Sequence, residues 1–162
     1  MADDRDRLLV LILEEATADL SSIHGLKHWA RVERNGLWLA RELGIKTPVV
    51  TLFALLHDSM RRNDGFDPGH GPRAAELAVR IGHEALEISP EELEILCRAC
   101  RGHTRERHSA DPIIGACWDA DRLDLPRVGI RPKLRFFSTD AGQKLVHSGE
   151  LGRLQSLPVR EL

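Results

Sequence analysis

TLFALLHDSMRR (residues 51–62) begins as the wall of a core and ends in chemistry. Thr51 to Leu56 read as the buried part of a helix, and His57 and Asp58 then follow side by side on the same apolar segment. Burying an imidazole and a carboxylate costs free energy unless a partner satisfies them. The helix has a clear start: Thr47 is placed as N-cap and Pro48 at the first helical position. From there Val50, Phe53 or Ala54, and His57 recur at helical spacing, which puts His57 on the core face.

Helical signals continue on both sides. Leu8, Leu11, Ile12 and Ala16 predict a first helix over roughly residues 4–20. Ser21 or Ser22 can open a second, with a stripe of Trp29, Val32, Gly36, Leu39 and Leu43 and Gly44 as a left-handed cap. A further helix starts near Gly71, with Ala74, Leu77, Ala78 and Ile81 inward. ISPEEL (residues 88–93) carries a capping box, with Ser89 as cap, Pro90 first and Glu92 third. Asp111 and Pro112 open the next helix, residues 127–137 read as irregular, and Ser138 can cap a last short helix toward Val146. Period-2 alternation between hairpin turns is missing. The expected fold is all-α: one bundle of about six to seven helices over residues 1–162, with the core motifs in 20–126 and 127–162 packing on them as an extension.

Composition narrows the function classes. The 162 residues can bury a real core as one domain. Hydrophobic residues at 42% and charged residues at 30% mark an ordered, globular composition. A formal net charge of −2 recruits neither nucleic acid polymers nor anionic membranes, and with 3 Trp, 4 Phe and no Tyr, stacking platforms for bases are scarce. The run LLVLIL (residues 8–13) is too short to span a bilayer, and no basic region precedes it as in a signal peptide. Three cysteines suggest reduced thiols in a cytoplasmic protein.

Two more helices place a metal-ligand type where the stripe predicts an apolar residue. Ile114, Trp118, Asp121 and Leu125 share a face, so Asp121 points inward while Asp119, Arg122 and Asp124 fall mostly elsewhere. Leu93, Leu96, Cys100 and His103 do the same for His103. A lone inward histidine is usually a hydrogen-bonded core residue. Several helices offering imidazole and carboxylate together is how bundles build metal sites, and that mixture suits first-row divalent ions. CRACRGHTRERH (residues 97–108) is a decoy for zinc: it lacks the spacer a finger requires, and Cys97 and Cys100 continue a helical core face, as Cys117 does beside Trp118.

IHGLKHWARV (23–32), LLHDS (55–59) and DADRLDL (119–125) together resemble the HD-domain superfamily, over roughly residues 20–126. That resemblance implies an all-helical, metal-dependent phosphohydrolase acting on a nucleotide or other small phosphate ester through a metal-activated hydroxide. It implies a first ion on His28, His57, Asp58 and Asp121, and a second on His70 and His103 with Asp58 shared. The ion is left open among Mn, Fe, Co, Ni, Zn and Mg, one or two per chain. Asp58 would orient the nucleophile. Arg61, Arg62, Arg73 and Arg122, with Lys27 less specifically, are the cations nearest for a phosphate, at least two of them expected to be ordinary surface charges or ion pairs. His24 sits four residues before His28; it either supports the site or is an ordinary turn residue, and the latter is the stronger expectation. Arg61 and Arg62 stand where signalling-nucleotide hydrolases of the superfamily keep acids, and a GYP motif is missing, so the substrate is not transferable. Two other readings stay open: a di-iron oxygenase built on the same ligands, and a non-catalytic metal- or ligand-binding regulatory module. The expected partner is a small phosphorylated substrate, with homo-oligomerisation left open, and His147 is unassigned.

Overall fold

Seven of the nine residues of one helix, Pro48–Leu56, are buried, because other helices surround it. The computed structural model describes residues 4–162, and among these there are no strands. The chain runs α1 (Asp4–Leu13), α2 (Leu26–Leu43), α3 (Pro48–Leu56), α4 (His70–Ile81), α5 (Pro90–Gly102) and α6 (Pro112–Arg122). Two 3₁₀ turns (Leu125–Val128 and Leu134–Phe136), α7 (Asp140–Ser148) and α8 (Leu151–Gln155) follow. α3 touches α1, α2, α4, α5 and α6, while α2 pairs with α6 and α4 with α5. The fold is the expected all-α one. No helix is long and apolar enough to cross a membrane among the described residues.

Helix starts follow the local chemistry in most places. Ser89 and Glu92 form both halves of the capping box, and Asp111 accepts from the amides of Ile113 and Ile114 at 2.9 and 3.1 Å. Gly44 adopts φ +65° and closes α2 as expected. α4 begins at His70, one residue before Gly71. Thr47 stands before α3 but makes no side-chain cap bond. The three cysteines are buried free thiols whose pKa values burial raises, in keeping with a core role.

Three boundaries differ from expectation. α1 ends at Leu13 instead of near residue 20, because the chain turns across the end of α3: the amides of Thr17 and Ala18 both donate to the Ser59 carbonyl at 3.0 and 3.1 Å. Neither Ser21 nor Ser22 opens α2. The Leu20 carbonyl folds over Gly25, accepts from the Leu26 amide at 2.9 Å, and leaves only 2.1 Å for a Cβ at Gly25, so a glycine must stand there. The last helix is capped by Thr139, whose hydroxyl accepts from the Gly142 amide at 3.0 Å, and extends to Ser148, with α8 unanticipated beyond it.

Asp119 explains why residues beyond α6 stay attached. It is buried on α6 and accepts from the amides of Ser138 (2.9 Å) and Thr139 (2.8 Å) and from the Thr139 hydroxyl (2.7 Å). At the other end, Arg5 Nε donates to Glu33 at 2.6 Å inside the interface of α1 with α2. Replacing Asp119 by Ala orphans three donors at once and is expected to cost about 3 kcal/mol, at the lower end of the price of three unsatisfied buried groups. Thermal unfolding of Asp119→Ala checks this; an unchanged melting temperature contradicts the anchoring role.

Candidate metal centre

Five helices deliver six side chains to one point. His28 comes from the first turn of α2 and His70 from the first residue of α4. His57 and His103 are the C-cap residues of α3 and α5, Asp58 follows His57, and Asp121 lies in the last turn of α6. The atoms divide into two sets. His28 Nε2 lies 3.1 Å from His57 Nε2 and 3.3 Å from Asp121 Oδ1, and Asp58 Oδ2 stands 3.5 and 3.6 Å from the two imidazoles. On the other side His70 Nε2 lies 2.9 Å from His103 Nε2, and Asp58 Oδ1 is 3.1 and 3.7 Å from them. One carboxylate thus turns an oxygen to each pair of histidines.

The outer nitrogens settle which ring atoms face inward. His57 Nδ1 donates to the carbonyls of Phe53 and Ala54 (3.1 and 3.2 Å), His70 Nδ1 to that of Asp67 (2.5 Å) and His103 Nδ1 to that of Cys100 (2.7 Å). His28 Nδ1 donates to Asp124 Oδ2 at 2.7 Å. A carbonyl only accepts, so each Nδ1 carries the proton and, in a neutral ring, Nε2 presents a lone pair. Lone pairs facing one another at about 3 Å, with two carboxylates among them, need a positive charge between them. The groups His28–His57–Asp121 and Asp58–His70–His103 each bring their ligand atoms within 4.8 Å of one another, and both can hold a metal ion. The donor set therefore fits the ion that the family resemblance implies.

Without an ion, a proton must serve. Burial depresses His57 to about 4. Burial also opposes protonation of His28, but hydrogen bonds to Asp121, Asp124 and Asp58 outweigh it and raise this imidazole to about 10. Desolvation works against ionised Asp58 and Asp121 too, yet the surrounding histidines hold both below the usual carboxylate range.

The site is closed except at one corner. The side chains of His28 and His57 have no exposure, whereas that of Asp121 is 21% exposed. Asp121 and His103 open onto a cleft of about 480 Å³ walled by Arg107, Arg122, Lys133 and Phe136.

Three of the four candidate phosphate-binding arginines are engaged within the protein. Arg61 Nε donates to Asp58 Oδ1 at 3.0 Å, with its Nη1 on the carbonyls of Asn63 and Gly65. Arg73 clamps the Met60 carbonyl and Asp67 (2.6 Å), fixing the loop that orients His70. Arg122 spends its donors on the carbonyls of Glu106, Arg107 and Phe136, and Arg62 is exposed. His24 is more than a turn residue: its Nδ1 lies 3.1 Å from Asp58 Oδ2 and 3.3 Å from an Arg127 Nη2.

Asp124 escaped the sequence reading, which placed it away from the Asp121 face. α6 stops at Arg122, and the Asp124 amide donates to the Asp121 carbonyl at 3.0 Å, a turn that swings Asp124 under His28. Arg107 and Lys133 were missed because nothing local marks them; the bundle brings their loops together.

Comparison with known proteins fits this architecture. No protein-family model and no curated protein matches the chain. Among solved structures, it is similar to a predicted HD superfamily hydrolase from an uncultured Thermotogales bacterium, with a TM-score of 0.68 and 26% identity over 93% of this chain and 88% of the other. The likeness to the HD-domain superfamily thus extends from three motifs to nearly the whole fold.

Because His28 rises to about 10 in the absence of an ion, metal binding at neutral pH must expel its proton. Manganese affinity is therefore expected to rise about tenfold per pH unit between pH 6 and 9, with release of about one proton per ion. Titration calorimetry in buffers of different ionisation enthalpy measures both, and a pH-independent affinity excludes this linkage.

Proposed function

We propose that the chain is a metal-dependent phosphohydrolase acting on a small phosphate ester, a nucleotide or a compound of similar size. The observation that carries this reading is Asp58 set between two histidine pairs, one oxygen toward each. His28, His57, Asp58 and Asp121 are the proposed ligands of one ion, and Asp58, His70 and His103 of a second. Divalent ions so held lower the pKa of water toward neutrality and offset charge on phosphoryl oxygens.

The protein's own groups supply the rest. The Nδ1 hydrogen bonds fix each imidazole before any ligand arrives, so little reorganisation is needed. Arg61 and His24 hold the two oxygens of Asp58 from opposite sides and thereby set the direction of its lone pairs. Arg73 acts through Asp67 on His70. These three are positioning residues. The phosphate then meets Arg107 and Lys133, exposed cations without a carboxylate partner among the described residues, on the wall of the cleft next to Asp121. Arg122 keeps that wall in place through three carbonyls.

The test is phosphate release from mono-, di- and cyclic nucleotides with Mn²⁺, Co²⁺, Ni²⁺ and Mg²⁺. Metal-dependent release is expected for at least one ester, with bound metal lost in His57→Ala and Asp121→Ala. If both variants retain metal, the first ligand set is wrong; if no ester is cleaved with any ion, hydrolysis is. Asp124→Asn is expected to weaken metal binding about 10- to 100-fold while the protein stays folded. Lys133→Ala is expected to raise KM about tenfold with kcat nearly kept, the loss of one charge-assisted hydrogen bond. A fall in kcat alone contradicts that assignment.

A further inference from the structure

Against α2 lies a second concavity of about 580 Å³ that shares no lining residue with the Asp121 cleft. Four cations, Lys27, Arg31, Arg34 and Arg127, line it with a single carboxylate, Asp124. Lys27 is exposed and has no ion pair among the described residues. Arg31 spends its Nε on Asp124 Oδ1 at 2.7 Å, which leaves its two outer nitrogens for a ligand. Arg34 meets only neutral acceptors, Asn35 Oδ1 and the carbonyls of Gln155 and Leu157. Burial and the neighbouring Arg31 push its guanidinium pKa down.

The concavity continues into an apolar one. Ser21, Lys27, Arg31, Arg34 and Gln155 also border a neighbouring space of about 800 Å³. Its remaining walls include Leu20, Leu26 and Ala30 on one side and Leu157, Val159 and Leu162 on the other. One end of the groove thus offers an excess of positive charge, and the other offers mostly hydrocarbon, with Glu161 on its wall.

We propose that this groove binds a phosphorylated small molecule with an apolar or aromatic body, at a site separate from the Asp121 cleft. Four cations against one carboxylate suit a phosphate dianion, and the outer nitrogens of Arg31 match two of its oxygens. The site is wired to the metal centre, a consequence that rests on the ligand assignment above. Asp124 gives Oδ1 to Arg31 and Oδ2 to His28 Nδ1, each at 2.7 Å. An anion that draws Arg31 toward itself leaves more of the Asp124 charge facing the metal centre, where added negative charge favours a dication over the single proton that otherwise sits there. The same coupling must act in reverse, the ion tightening the anion.

Calorimetric titration of the metal-loaded chain with inorganic phosphate, which cannot be hydrolysed, counts the sites. Two per chain are expected. Lys27→Glu should abolish one, and Arg107→Ala combined with Lys133→Ala should weaken the other. Phenylphosphonate should bind the Lys27 site about tenfold tighter than phosphate, as its ring buries apolar area. Phosphate binding unaltered in Lys27→Glu, whether the wild type shows one site or two, overturns the proposal; a single wild-type site that Lys27→Glu abolishes counts against the Asp121 cleft instead. Lys27 is exposed, so its variant is expected to fold; Arg34→Gln is the second variant, and circular dichroism checks both. Saturating phosphate should tighten Mn²⁺ binding several-fold more in the wild type than in Lys27→Glu, and equal shifts would break the link through Asp124. The site count is independent of turnover, so a protein that cleaves no ester can still satisfy or refute it.

Discussion

Four imidazole nitrogens and two carboxylates face one another inside a helical bundle, and the surrounding structure is arranged to keep them there. Neutral histidines at these separations repel through their lone pairs, while carboxylates in a dry site demand a counter-charge. A cation resolves both. In its absence, His28 carries a proton raised to about 10 while His57, only 3.1 Å away, is depressed to about 4. Burial opposes protonation of both rings, and only His28 has the hydrogen bonds to Asp121, Asp124 and Asp58 that outweigh it.

Helix ends do much of this work. α3, α5 and α6 finish at the site, and the last carbonyls of a helix have no partner within it. His57 and His103 sit at those ends and give Nδ1–H to those carbonyls, so satisfying the helix terminus and fixing the tautomer are one act. The negative ends of three helix dipoles also favour a cation at their meeting point. Close packing then sets the spacing. A Cβ at Gly71 would lie 2.4 Å from the Cys100 carbonyl and 3.3 Å from the His103 ring, so glycine next to His70 is what lets α4 come near enough to α5 to pair the two histidines.

The sequence disclosed what local periodicity controls. Asp121 was separable from Asp119 on stripe alone: Asp121 joins the histidines, and Asp119 anchors Ser138 and Thr139 instead. The motif resemblance assembled the other candidate ligands. What stayed hidden depends on turns and long-range contacts. Asp124 required knowing that α6 stops at Arg122, and the clasp of Thr17 and Ala18 on Ser59 that ends α1 joins residues about forty apart. Charge is visible in sequence, but whether a guanidinium is free or held on carbonyls is not: Arg73 and Arg122 are largely engaged in such contacts.

Arg61 shows how the same position can serve a different end. Signalling-nucleotide hydrolases of the superfamily that the motifs resemble keep acids after the His-Asp pair. Here a guanidinium lies 3.0 Å from Asp58 Oδ1 and reaches on to the carbonyls of Asn63 and Gly65. It stiffens the central carboxylate and closes that side of the site. The loop after α3 is engaged in support, while exposed cations on other loops, Arg107 and Lys133 among them, flank the opening at Asp121. Asp119 helps to hold that wall by tying the segment after the 3₁₀ turns back to α6, as Arg122 does through the carbonyls of Glu106, Arg107 and Phe136. The extension beyond residue 126 therefore forms part of the cleft and does not merely pack behind it, with Lys133, Phe136 and Phe137 on its wall.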